Sequence, residues 1–244
     1  MRLSTVVARD ADRAHRRRLH PMREDRFLTL VVRTLADQVF EIVRDRIVTG
    51  ALPDNMPVRQ NALANDLGVS KIPLREALAR LEHEGLLSSH ANRGYAVRAR
   101  SAEEADEIYA LRLAIEPAAG GAGALAANAA QRAAATAAFR AVEEAANSDV
   151  TAVAISNRHF HTALVQPAGR LLTTQLVERL TILAERYIVT HLAPAGYDAR
   201  AYLEHRLLID AWMARDVAAF ERLMYRHLDG TWQDLRTQIG AGRA

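Results

Sequence analysis

The sequence predicts a mainly α protein in two parts, a small unit ordered helix, helix, turn, helix, hairpin, followed by an all-α helical bundle. Three observations predict it. Apolar residues recur at three and four positions through most of the chain beyond residue 30. A single pair of short β-type runs, Leu86-Leu87-Ser88 and Tyr95-Ala96-Val97, flanks His90-Ala91-Asn92-Arg93-Gly94. After residue 100 the chain is rich in Ala, Leu and Arg and carries helix patterns throughout.

Residues 1–30 lack periodicity and hold the run HRRRLHPMREDR, so they read as a flexible basic extension. Within residues 31–100, Ala36, Val39, Phe40, Val43 and Ile47 form one face of a helix that stops at Gly50. A loop with Pro53 and Pro57 leads to a short helix around Gln60–Leu67, with Leu63 and Leu67 on one side. Gly68-Val69-Ser70 is a tight turn, and Ser70 is placed to cap the next helix. Pro73 falls in that helix's first turn, where a missing N–H costs nothing. Leu74, Ala77, Leu78 and Leu81 form its buried stripe, and Gly85 ends it before the hairpin. This order is that of a winged helix-turn-helix. Residues 101–240 form the bundle, with breaks expected at Gly and Pro and with the Ala-biased run Pro117–Ala146 read as helix. Ser101, with Glu104 three residues on, has capping-box spacing at the bundle's first helix.

Composition narrows the function. Of 244 residues, 50% are hydrophobic and 25% charged, a globular balance rather than a disordered one. The chain has no Cys, which excludes disulfides, thiolate metal sites and a cysteine nucleophile. The first twenty residues hold no signal-peptide core, and no stretch approaches the roughly 18 apolar residues of a membrane span. The expectation is a soluble, cytoplasmic protein with no membrane partner. Residues 1–100 carry 18 Lys and Arg against 12 Asp and Glu, whereas the remainder carries 14 against 17. A basic front half is suited to a polyanion, although residues 1–30 supply much of the excess and a charge run is usually a solvated surface.

A helix enters the major groove when one face is buried and the other offers donors near its N-terminus. Here the Leu stripe supplies burial, while Lys71 and Arg75 sit four apart and off that stripe. Ser70 adds a hydroxyl and a helix N-terminus, both suited to a phosphate oxygen. In the hairpin, Arg93 and Gly94 set a cation against the DNA backbone or in the minor groove. Singly, each of these is more often an ordinary surface charge; on one helix-turn-helix frame they point together to double-stranded DNA.

The stretch VRQNALANDLGVSKIPLREALARLEHEGLLSSHANRGYAV resembles the N-terminal domain of the GntR family of bacterial transcription regulators. The likeness rests on LA-x-x-LGVS, then P-L-REAL-x-RLE-x-EGLL, then RGYAV. It implies that Ser70, Lys71, Arg75, Arg93 and Gly94 contact operator DNA. Two positions depart from the family pattern, Lys71 where Arg is usual and Ile72 where Thr is usual. Lys cannot reproduce a bidentate Arg–guanine contact. Ile72 either touches a thymine methyl or forfeits a hydrogen bond, so the operator should differ from the commonest family pattern.

The second half contains His159, His161, His191, His205 and His227. Asn157 and His161 are four apart, hence on one helix face, and His159 points elsewhere. His205 and His227 each lie 11 residues from Asp216 in an apparent helix–helix turn, so an antiparallel hairpin brings them level. Three imidazoles and one amide oxygen meeting inside a bundle suit a divalent metal ion, zinc first, with nickel or manganese as alternatives. Spacing alone leaves the other reading open, since an isolated His in a helical domain is more often a core residue.

The segments IYALRLAIEPAA, NRHFHTAL and YLEHRLLIDAWMARDVAAFERLMYRHL resemble the FCD effector domain of the FadR-like branch of the same family. That resemblance implies a metal set of Asn157, His161, His205 and His227, with Asn157 where Asp is commoner. It also implies a small carboxylate (organic-acid) effector beside the metal, faced by Arg112. For Arg112 the alternative is a surface ion pair with Glu116, four residues on. The function implied is a ligand-responsive transcription regulator and not an enzyme, a homodimer on operator DNA, with repression the commoner role. Two alternatives stand beside it, a metal-dependent hydrolase-like domain fused to a DNA-binding module and an architectural DNA-binding dimer without effector. Against the hydrolase, no carboxylate is placed as general base, because Glu204 adjoins His205 and so points about 100° away on a helix.

Overall fold

Thr34 starts the first helix. Its hydroxyl accepts from the Asp37 N–H at 3.1 Å and its own N–H donates to the Asp37 carboxylate at 2.9 Å, a reciprocal capping box. The computed structural model describes residues 33–90, 94–145, 150–192 and 198–241; the basic extension 1–30 and Arg93 lie outside the described residues. Helix α1 (Leu35–Val48) buries Val39, Phe40, Val43 and Ile47, and Gly50 follows in the left-handed region at φ 78°. Helices α2 (Gln60–Asp66) and α3 (Lys71–His83) form the helix-turn-helix, and Leu74, Ala77, Leu78 and Leu81 of α3 are fully buried. Each such leucine contributes ~1.5–3 kcal/mol of transfer free energy.

Strands β1 (Leu87–His90) and β2 (Gly94–Val97) pair antiparallel, with Leu87 opposite Val97 and His90 opposite Gly94. The Pro53–Pro57 loop runs along the free edge of β2. Val58 N–H donates to Tyr95 O at 2.8 Å, and Val97 N–H to Met56 O at 3.0 Å. The wing is thereby anchored to the segment that follows α1.

The bundle consists of α4 (Ala102–Ala126), α5 (Ala129–Ala145), α6 (Val150–Val165), α7 (Leu171–Tyr187), α8 (Asp198–Ala214) and α9 (Val217–Ala241). Pro167 and Gly169, the latter left-handed at φ 67°, break the bundle between α6 and α7 as expected, but α4 runs through its Pro and Gly. Pro117, Gly120, Gly121 and Gly123 all lie inside α4, and the break comes instead at Asn128, whose side chain and that of Gln131 cap each other's backbone N–H at 2.9 and 3.0 Å. The glycines serve close approach. A Cβ on Gly123 would lie 2.0 Å from the Leu164 carbonyl oxygen, and one on Gly120 would lie 2.4 Å from the Phe220 ring. Trp212 fills the space between, donating from Nε1 to both Gly120 O and Leu164 O at 3.1 Å.

The Ser101 box forms only by half. The Ser101 hydroxyl accepts from Glu104 N–H, but the Ser101 N–H donates to the Tyr187 hydroxyl at 3.1 Å, and that hydroxyl donates to Glu104 at 2.8 Å. Tyr187 of α7 has entered the box and tied the start of α4 to the core. That core spans both parts of the chain. One apolar cluster runs from Phe40, Leu78 and Val97 through Ile108 and Tyr109 to Ile182, Tyr187 and Trp232, and a second surrounds Phe160, Trp212 and Phe220.

Candidate DNA interface and buried histidine centre

Helix α3 presents its outer face to solvent. Ser70 is extended at the N-cap, at φ −75° and ψ 166°, but its hydroxyl makes no capping hydrogen bond, so its capping role is positional only. Lys71 and Arg75 are exposed one turn apart, and Ile72 is 79% exposed beside them. Gly94 opens β2 at φ 76°, a backbone that an L side chain rarely adopts. Ser70, Lys71 and Arg75 therefore share the amino end of one helix, as the spacing predicts.

The histidines converge. Nitrogens of His161 on α6, His205 on α8 and His227 on α9 lie within 4.8 Å of one another, and all three residues are buried. Arg215, in the left-handed region at φ 58°, turns α8 into α9 and brings His205 level with His227, their ring centroids 4.7 Å apart. Asn157 lies one turn before His161 on the same helix and is half-buried, whereas His159 is exposed. The side chain of His191 lies outside the described ones.

Carboxylates orient two of the rings. Glu116 Oε2 is 3.0 Å from His161 Nδ1, and Glu204 Oε2 is 2.7 Å from His227 Nδ1. A carboxylate at Nδ1 holds the proton there and leaves Nε2 as a lone-pair donor toward the cluster, the outer-shell arrangement of histidine metal sites. Burial alone would raise the Glu116 carboxyl, but Arg112 and His161 outweigh it and hold it at about 2. Burial pushes the His161 imidazole down to about 4, and burial with its two histidine neighbours pushes His205 well below its ordinary value. Both rings are therefore neutral at pH 7, the form that binds a metal ion. His205 supplies the test of fit. Both its ring nitrogens are buried without a hydrogen-bond partner, a costly state for an imidazole that a metal ion would relieve.

Arg112 is buried rather than at the surface, and its guanidinium pairs with Glu116 through Nε and Nη2. The Arg112–Glu116 ion pair is thus formed, though buried rather than at the surface, and it continues inward as the chain Arg112–Glu116–His161. A second buried arginine, Arg158, donates to Glu185 at 3.2 Å and to Asp45 of α1 at 3.4 Å. Burial pushes the Glu185 carboxyl up to about 8 despite Arg158. Asp54 binds both Arg100 and Arg186, at 2.8 and 2.9 Å.

Two site residues escaped the sequence reading. Glu204 points away from its neighbour His205, and that direction carries it across the α8–α9 pair to His227. Glu116 reads in the sequence as a partner for Arg112 alone. Its i,i+4 spacing gave that bond, but the bond to His161 spans 45 residues and has no local signal.

A winged helix-turn-helix with cations at the head of its exposed helix, joined to a helical bundle around a buried histidine cluster, defines a two-domain DNA-binding regulator. Family models agree: "Bacterial regulatory proteins, gntR family" matches residues 35–97, and "FCD domain" matches residues 107–230. The chain is 32% identical over 201 residues to the "Probable D-xylose utilization operon transcriptional repressor" of Paenarthrobacter nicotinovorans, covering 80% of this chain and 86% of that protein. It is 27% identical over 196 residues to the "HTH-type transcriptional repressor GlaR" of Escherichia coli K12, covering 76% and 89%. Among solved structures, E. coli McbR/YncC superposes with a TM-score of 0.74 at 22% identity, over 84% of this chain and 99% of that one. The chain belongs to the GntR family of bacterial regulatory proteins and carries an FCD domain; it is a DNA-binding transcription regulator, and the families it matches are not enzymes. No helix among the described residues is long and apolar enough to cross a membrane.

Proposed function

We propose that this regulator is a ligand-responsive repressor whose helical domain holds a divalent metal ion and a small carboxylate effector. The observation that carries the reading is His205, buried with two unpartnered nitrogens between two histidines whose Nδ1 atoms are held by carboxylates. His161, His205 and His227 would hold the ion, with the Asn157 amide oxygen as a fourth donor. When bound, a divalent ion there, zinc first, supplies a Lewis-acidic centre for an oxygen of the effector. Arg112 spends two nitrogens on Glu116 and leaves Nη1 for the effector carboxylate.

Both relatives described above are named as transcriptional repressors. Ser70, Lys71, Arg75, Arg93 and Gly94 are assigned to operator DNA, in a homodimer that reads two half-sites. The outward face of α4, with exposed Leu111, Ala114, Ala118 and Leu125, supports self-association, since it is an apolar stripe with no cover within the described chain.

The test is metal content and melting temperature. Wild-type protein purified without chelator should retain about one zinc per chain, and added zinc should raise the Tm of stripped protein by linkage. His205→Ala should lose most of both effects, while His159→Ala keeps them. Equal zinc content in the two variants would remove the assignment. Small organic acids that raise the Tm only of the zinc-loaded protein would identify the effector class.

A further inference from the structure

The recognition helix carries a side chain that neither burial nor charge explains. Among the described residues of the winged domain, the exposed large hydrophobics are Leu35 at 50%, Ile42 at 45%, Met56 at 40% and Ile72 at 79%. Ile72 is the most exposed, and it stands at the second position of α3. Helix stability does not favour it there. A β-branched residue lowers helix propensity, and the first turn is better served by an acidic side chain.

The direction of Ile72 follows from helix geometry. At 100° per residue it projects about 160° from Leu74, close to the point opposite the buried stripe. Arg75 lies only about 100° and Lys71 about 60° from Leu74, both on one flank of the helix. The middle of the outward face therefore holds an apolar side chain, with the cations as a rail along its side. When such a helix enters the major groove, the middle of its face meets base edges and the flank meets phosphates. The one apolar group on the major-groove floor is the C5-methyl of thymine.

We propose that Ile72 is a specificity-determining residue that reads a thymine methyl in each half-site. The inference rests on α3 being the element that enters the groove. Binding buries the Ile72 side chain against the methyl group, and any other base at that position leaves it facing polar edges.

The experiment uses the full chain and duplexes selected from a random pool by the wild-type protein. Each thymine of the selected site is then replaced by uracil, which removes the methyl group and nothing else. At one position per half-site the wild type should bind uracil about three- to fourfold more weakly, the factor that corresponds to one buried carbon. Ile72→Ala, at an exposed helical position where Ala is well tolerated, should bind the thymine and uracil duplexes equally. Ile72→Val, which keeps a branched apolar side chain, should retain most of the discrimination. The proposal is overturned by a wild type indifferent to every uracil, by an undiminished preference in Ile72→Ala, or by a selected site with no enriched thymine. Failure of the underlying reading looks different, because Arg75→Ala would then leave affinity for the selected site unchanged.

Discussion

The reading face of α3 and the histidine centre of the bundle are built in opposite ways. The face is exposed, its residues lie within six positions of one another, and its side chains wait for a partner in water. The centre is buried, its ligands come from three helices, and every ring but His205 is already oriented by a carboxylate. A solvated cation is cheap to display, so the face needs no internal support. Buried imidazoles and carboxylates are costly to desolvate, so the centre must satisfy nearly all its polar atoms and leave open only those meant for a ligand. The difference teaches where a substitution will be felt, in binding alone at the face and in folding as well at the centre.

Glu116 is the sharpest place to break that contrast. Glu116→Ala should cost about 3–5 kcal/mol of stability, because it strands the buried Arg112 charge and frees His161 Nδ1. Urea denaturation measures it. Replacing the pair together, as Arg112→Met with Glu116→Leu, should recover much of that loss while zinc affinity stays low, which separates folding from metal binding. A Glu116→Ala variant as stable as wild type would mean that the centre is not held as described.

Arg75→Ala should show the reverse pattern. Its stability should stay within about 0.5 kcal/mol of wild type, while operator affinity falls by about 1–3 kcal/mol. Paired measurements of melting and of DNA binding as a function of salt decide it. A loss shared by all sequences, with a shallower salt dependence, is the signature of a phosphate contact from the helix flank; a loss confined to the selected site would place Arg75 on a base edge.

The smallest effect is a titration at the entrance of α1. The hydrogen bond from Arg80, with those from Thr34, lowers the Asp37 carboxyl to about 2 from its ordinary 3.8. A folded-state value below the unfolded one adds stability that is full above the unfolded value and fades as pH falls through the folded one. The gap in Tm between wild type and Asp37→Asn should therefore be present at pH 5 and close as pH falls toward 2. A gap that stays constant over that range would show that Asp37 acts through shape rather than charge.

Much of the fold was legible because its signals are local. The α3 stripe from Leu74 to Leu81, the turn at Gly68 and the hairpin around Gly94 each lie within a few residues of one another; the first two formed as read, and the hairpin formed with His90 and Gly94 paired in its strands rather than left in its loop. Local rules misled where neighbours along the chain were not neighbours in space. The run from Pro117 to Ala146 reads as helix, yet it breaks at Asn128, while Gly120 and Gly123 inside it are contact points for Phe220 and Leu164. Glu104 was read as a cap for Ser101 and instead accepts from Tyr187, which lies 83 residues away.

The order of elements, the cations on one end of a helix and the level of His205 with His227 are set by covalent spacing and helical period, and these can be counted along the chain. Which groups share a buried volume is another matter. Arg158 against Asp45, Glu116 against His161 and Glu204 against His227 are chosen when whole helices pack and each desolvated charge must find its partner within a few ångströms. Periodicity marks which residues must leave water; only the packed chain decides what they meet there.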